Sequence, residues 1–144
     1  MTTFPPIAEL VPQAGAMILL DEIVDAEEGR IVARARLRPT SLFVEGDRVP
    51  ALVSIEYMAQ AIGAYAGLRA RAAGEPVRVG YLLGTRELTL EIDGFDVGDE
   101  FLVEARHVWG DEQLGSFQCA VVLDGRTVAT ALVTVYQGDE VPST

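Results

Sequence analysis

Over residues 30–38 apolar and charged side chains alternate one for one. Ile31, Ala33, Ala35 and Leu37 fall on one face, and Arg34, Arg36 and Arg38 on the other. A period of two predicts a strand half buried against a core. Upstream, residues 17–23 are an apolar run interrupted near its end by Asp21 and Glu22, and Glu27-Glu28-Gly29-Arg30 reads as the turn between the two. The period changes after a loop over residues 39–49. Pro50 has a fixed φ suited to a first helical turn, and a helix is predicted to about Ala73, stopping at Gly74. At 1.5 Å per residue it would be roughly 35 Å long. Ala51, Ala59, Ala61, Gly63, Ala64, Ala66 and Gly67 give it little bulk. Each interior glycine costs roughly 1 kcal/mol relative to alanine, so close packing against a sheet is expected to favour them.

The second half reads as strands over residues 78–83, 87–92, 101–109, 114–123 and 126–136. Gly84-Thr85 separates the first two, residues 96–99 form a turn around Gly98, and Asp124-Gly125 is a hairpin signal. Strand, strand, long helix, then four or five strands is an α+β pattern in which a sheet must cover the helix. The length of 144 residues suits one domain with a sizeable core, ordered over about residues 8–137, with loose ends at 1–5 and 138–144.

Composition narrows the function classes. The formal net charge is -11, and every basic residue is an arginine. This argues against a general nucleic-acid binder, which needs clustered cations. Cys119 is the single cysteine, so neither an intramolecular disulfide nor a cysteine-based zinc site can form. No metal set is apparent around Asp21 and Glu22. The N-terminus has no basic stretch leading into an apolar one, and the apolar helix carries Glu56 and Gln60 and reaches Arg69 too soon to span a bilayer. A cytoplasmic protein is expected.

The segment richest in chemistry is Pro50-Ala51-Leu52-Val53-Ser54-Ile55-Glu56-Tyr57-Met58-Ala59-Gln60. It places a carboxylate and an amide one turn apart on an otherwise apolar helix, on a face expected to pack against something. A carboxylate there must be paired, hydrogen-bonded or used. Glu56 therefore reads either as a functional acid or as a structural residue bonded to backbone. Gln60 reads either as a group orienting it or as one satisfying a loop carbonyl. His107, the only histidine, alternates with Phe101, Val103 and Ala105, and its simplest account is packing along a strand.

This segment, with Leu10-Val11-Pro12-Gln13-Ala14-Gly15-Ala16-Met17-Ile18-Leu19-Leu20-Asp21-Glu22-Ile23, resembles the 3-hydroxyacyl-acyl-carrier-protein dehydratases of the hotdog fold. Within them it is similar to the small dehydratase-like proteins of aryl-polyene-type pathways. The family has a proline, a glycine, four residues, then an acid followed by a Met-Ala-Gln-like tail. Here Ala51 replaces the glycine. Gln13 and Ala14 replace the family's opening His-Arg pair. The family's catalytic loop histidine falls at Leu42 or Ser41, or at Asp47 if Gly46 is aligned on the loop glycine. The acid is kept and the base is not.

The resemblance implies an antiparallel sheet wrapped around one helix, and a homodimer or a heterodimer with a related hotdog subunit, its site at the interface. The implied substrate is an acyl-carrier-protein or coenzyme A thioester, with acyl-phosphopantetheine or acyl-CoA as substrate and no cofactor. Dehydration needs a base at C2, an acid for the departing C3 oxygen and donors for the enolate. Glu56 would be the acid, the Ala51 and Leu52 backbone would polarise the thioester, and Gln60 and Phe43 would border the substrate. Arg69, Arg71 and Arg78 would meet a phosphate or an acidic carrier, or serve only as a solvated helix end. Two alternatives stand beside this reading: a catalytically degenerate acyl-thioester-binding or partner subunit, and a hotdog acyl thioesterase in which Glu56 activates water.

Overall fold

The computed structural model describes residues 3–138; residues 1–2 and 139–144, parts of the expected loose ends, lie outside it. The alternating arginine segment forms β2 (Arg30–Arg36), preceded by β1 (Glu22–Glu27). Ile31, Ala33, Ala35 and Leu37 are all buried, as their period predicts. On the opposite face Arg30 bonds Glu104 at 2.8 Å, and Arg34 pairs with Glu22 and Glu100. The residues before β1 differ from the expected first strand: residues 15–17 form a 3-10 turn and pairing begins at Glu22.

Chain order continues with β3 (Arg48–Pro50), a 3-10 turn (Ala51–Val53), α1 (Ser54–Ala72), β4 (Val79–Leu90) and β5 (Gly94–Asp96). Then come β6 (Glu100–Gly110), β7 (Leu114–Leu123) and β8 (Arg126–Gly138). Six strands form one antiparallel sheet in the order β1-β2-β6-β7-β8-β4, while β3 and β5 pair separately. The helix packs against β2, β6, β7 and β8, so the sheet wraps around it in the hotdog arrangement. Gly74, at φ 71, ends the helix region in the left-handed conformation, and Asp124-Gly125 makes the last hairpin with φ 52 and 77.

Three details depart from the sequence pattern. The 39–49 loop ends in the short strand β3. The two strands expected on either side of Gly84-Thr85 are one strand, β4, because the Gly84 region is a bulge rather than a turn. The helix proper begins at Ser54, since Pro50 is extended (φ -58, ψ 142) and caps the 3-10 turn.

The two interior glycines of α1 face the N-terminal segment rather than a sheet. A Cβ on Gly67 would lie 2.1 Å from the Leu10 carbonyl oxygen, whereas one on Gly63 would meet only a Val11 methyl at 3.9 Å. The core closes over an aromatic cluster in which Phe95 stacks on Phe101 at 4.5 Å and Tyr57 meets Phe101 edge-on at 5.0 Å. Burial there pushes the Tyr57 phenol up to about 12, with Asp21 adding to the shift.

Candidate functional site at the helix start

Glu56 sits in the first turn of α1, where the positive end of the helix dipole favours a carboxylate. The expectation of a packed face around it does not hold within one chain. Glu56 is exposed and has no hydrogen bond or ion pair among the described residues. Its surroundings are apolar and also uncovered. Leu52, one turn before it, is 59 % exposed, and the half-buried Ile55 adjoins it.

Gln60 is buried, and its amide clamps the segment that leads into β1. Its Oε1 accepts from the Leu19 and Leu20 N–H groups at 2.6 and 3.1 Å, and its Nε2 donates to the Met17 carbonyl at 2.9 Å. None of these bonds reaches Glu56, so the amide serves the segment before β1 and does not orient the carboxylate. Of the two backbone donors expected for a thioester oxygen, the Ala51 N–H is already bonded to the Asp93 carbonyl at 2.9 Å. Leu52 remains. Phe43 is exposed in the preceding loop with φ 72, an unusual backbone for a bulky residue. Ser41 accepts from the Arg38 N–H at 2.8 Å and so closes that loop's first turn. Ser54 is fully buried and its hydroxyl has no partner among the described residues.

The chain's histidine lies elsewhere. His107 is half-buried in a cavity of about 330 Å³ lined by the C-terminal half of α1, including Tyr65, Arg69 and Ala70. The separation from Glu56 along the helix axis is roughly 13–20 Å. Acid and imidazole are therefore not brought together within one chain.

Nor do the arginines at this end form an uncompensated cationic patch. Arg69 bonds Glu112 at 2.9 Å, Arg71 bonds Glu9 at 3.1 Å, and Arg78 bonds Glu75 at 3.0 Å. Arg69 also donates to the Tyr65 phenol, and its pKa is raised by Glu112 first and Tyr65 second. Sequence reasoning missed this cavity; Gly115, which leaves room beside the His107 imidazole, was its one signal among the described residues.

Among the described residues no group of three His, Cys, Asp or Glu could hold a metal ion, and no helix is long and apolar enough to cross a membrane.

A family model described as ApeP-like, ApeP dehydratase, matches residues 5–144. A search of curated proteins by sequence gave no match. Among solved structures, the dehydratase heterocomplex ApeI:P from Xenorhabdus doucetiae superposes with a TM-score of 0.91 at 24 % identity, covering 96 % of this chain and 94 % of that one. A hypothetical thioesterase with coenzyme A from Streptococcus pneumoniae gives 0.61 at 14 % identity, covering 81 % of this chain and 84 % of that one. PaaI of the E. coli phenylacetic acid degradation operon gives 0.60 at 14 % identity, covering 80 % and 81 %. At these identities the structural likenesses establish the fold alone.

Proposed function

The chain belongs to the ApeP-like dehydratase family, and on that footing we propose that it is one subunit of a hotdog 3-hydroxyacyl-thioester dehydratase that works in a pair with a related subunit. Glu56 is the acid that protonates the leaving C3 oxygen, the Leu52 N–H polarises the thioester carbonyl, and the partner supplies the base at C2. The thioester is carried by an acyl-carrier protein or coenzyme A. Phe43, Leu52 and Met17 form an apolar border on which the acyl chain and the partner's surface close.

One observation carries this reading: Glu56 is an unpartnered carboxylate on an uncovered apolar border, with the chain's histidine at the other end of the helix. An acid so placed lacks both the desolvation and the base that the reaction needs, and a second subunit provides both. The similar X. doucetiae structure is a dehydratase heterocomplex, which supports a related hotdog chain as the partner.

Reconstitution tests the proposal. The purified chain alone should hydrate an enoyl thioester at least roughly 100-fold more slowly than the same chain mixed with a hotdog subunit that carries the loop histidine. Full activity of the chain alone would reject the shared site. Release of free thiol from acyl-CoA, without hydration, would favour the thioesterase alternative.

A further inference from the structure

We propose that the cavity around His107 is a second small-molecule site, separate from the thioester site, and that it takes a compact organic cation with an apolar body. The argument rests on three observations.

The first is shape. A cavity of about 330 Å³ accommodates a ligand of roughly ten non-hydrogen atoms at ordinary packing. Its wall is held by a network that ties three elements together. The Gly29 N–H donates to the Tyr65 phenol at 2.7 Å, and the His107 N–H donates to the Gly29 carbonyl at 2.8 Å. Arg69 links Tyr65 to Glu112.

The second is apolar surface. Ala66, Ala70, Phe117 and Val135 line the cavity. The His107 ring lies edge-on to Phe117 at 5.2 Å, and its side-chain nitrogens have no hydrogen bond among the described residues. Gly115 keeps the space open, since a Cβ there would come within 3.3 Å of the imidazole Nε2. The half-buried ring and Phe117 offer an apolar, aromatic wall against which the body of a ligand packs.

The third is charge. Four carboxylates (Glu28, Glu75, Asp111 and Glu112) line the cavity against two guanidinium groups, Arg69 and Arg78. Both arginines are bonded to carboxylates, so Glu28 and Asp111 set the balance. Glu28 has no ion pair or hydrogen bond among the described residues. With Arg69 and Arg78 already paired, the excess of carboxylates in this lining disfavours anions and favours a cation.

Phenethylammonium, phenethyl alcohol and phenylacetate share a similar body and differ in charge. Titrated into the full chain and followed by amide chemical shifts, phenethylammonium should saturate near about 1 mM with shifts at Gly29, Gly110 and Gly115. The alcohol should bind more weakly, and phenylacetate at least roughly tenfold more weakly. Ala70→Phe fills the cavity and should abolish binding. Glu28→Gln, at an exposed turn position that leaves folding intact, should weaken the cation roughly threefold. Shifts that map elsewhere, equal binding of phenylacetate, or binding unchanged in both variants would overturn the proposal. Catalysis enters none of these readouts, so the dehydratase reading stands or falls separately.

Discussion

Gln60 and Glu56 stand one turn apart on the same helix and have opposite fates. The amide is buried and bonded to three backbone groups of the segment before β1, while the carboxylate has no partner among the described residues. The residue types and their spacing were legible in the sequence. Which of the two would be enclosed was not, because that depends on where the 15–20 segment lies across the helix. Ser54 is a second residue that no pattern flags. A buried hydroxyl without a partner costs roughly 1–3 kcal/mol, so Ser54→Ala should raise the thermal midpoint, and a lowered midpoint would show that the hydroxyl is satisfied in solution.

Cys119 was legible as a lone thiol but not as an inert one. Burial, and secondarily Glu104, push it up to about 12. Because the folded value is raised, the neutral thiol favours the fold. That contribution is complete below the ordinary thiol value of about 8.5 and is lost as pH rises toward 12. Iodoacetamide at pH 8 should label Cys119 only as fast as the protein unfolds, as read by mass spectrometry.

Among the elements, α1 was visible from its composition, with its C-terminus placed within a residue and its start displaced to Ser54 by the 3-10 turn. The sequence could not say what its glycines face. Contact with the N-terminal segment makes them unequal. Gly67→Ala drives a Cβ into the Leu10 carbonyl and should destabilise by about 1–3 kcal/mol. Gly63→Ala has room and should stabilise by about 0.5–1 kcal/mol through helix propensity. Paired denaturant melts check this, and equal effects at the two positions would refute the packing.

The β6–β7 hairpin turn depends on Asp111. Its carboxylate accepts from the Gln113 and Leu114 N–H groups at 2.9 Å each, and these backbone bonds, Leu114 first, hold its pKa below the usual carboxylate range. A depressed value means the stabilisation is present above the ordinary carboxylate pKa and is lost as pH falls through the lowered one. The protection factors of the Gln113 and Leu114 amides should therefore fall only at strongly acidic pH, and be low at all pH values in Asp111→Ala. The strands alternate clearly enough for their number to be nearly legible. Bulges such as that at Gly84 leave residues out of register and mimic turns, which is why β4 reads as two pieces.

At the scale of the molecule, the curled sheet leaves β4 as an unpaired edge. It is 12 residues long with Leu82 and Leu83 exposed. A long apolar edge is a surface that another strand completes, and the uncovered border at Glu56 needs covering as well. On the proposed pairing, the covering surface lies in another chain, so one sequence can show only one half of the site. In the proposed pair, Leu83→Asp on this edge should weaken assembly in sedimentation without lowering helix content.

The claim on which the functional account turns is that Glu56 delivers the proton to the departing oxygen inside such a pair. Its most direct measurement is the rate of enoyl-thioester hydration by the assembled pair carrying Glu56→Gln in this chain. The account predicts a fall of roughly 10²–10⁴-fold with assembly and thermal midpoint unchanged. A rate equal to that of the unaltered pair would contradict it.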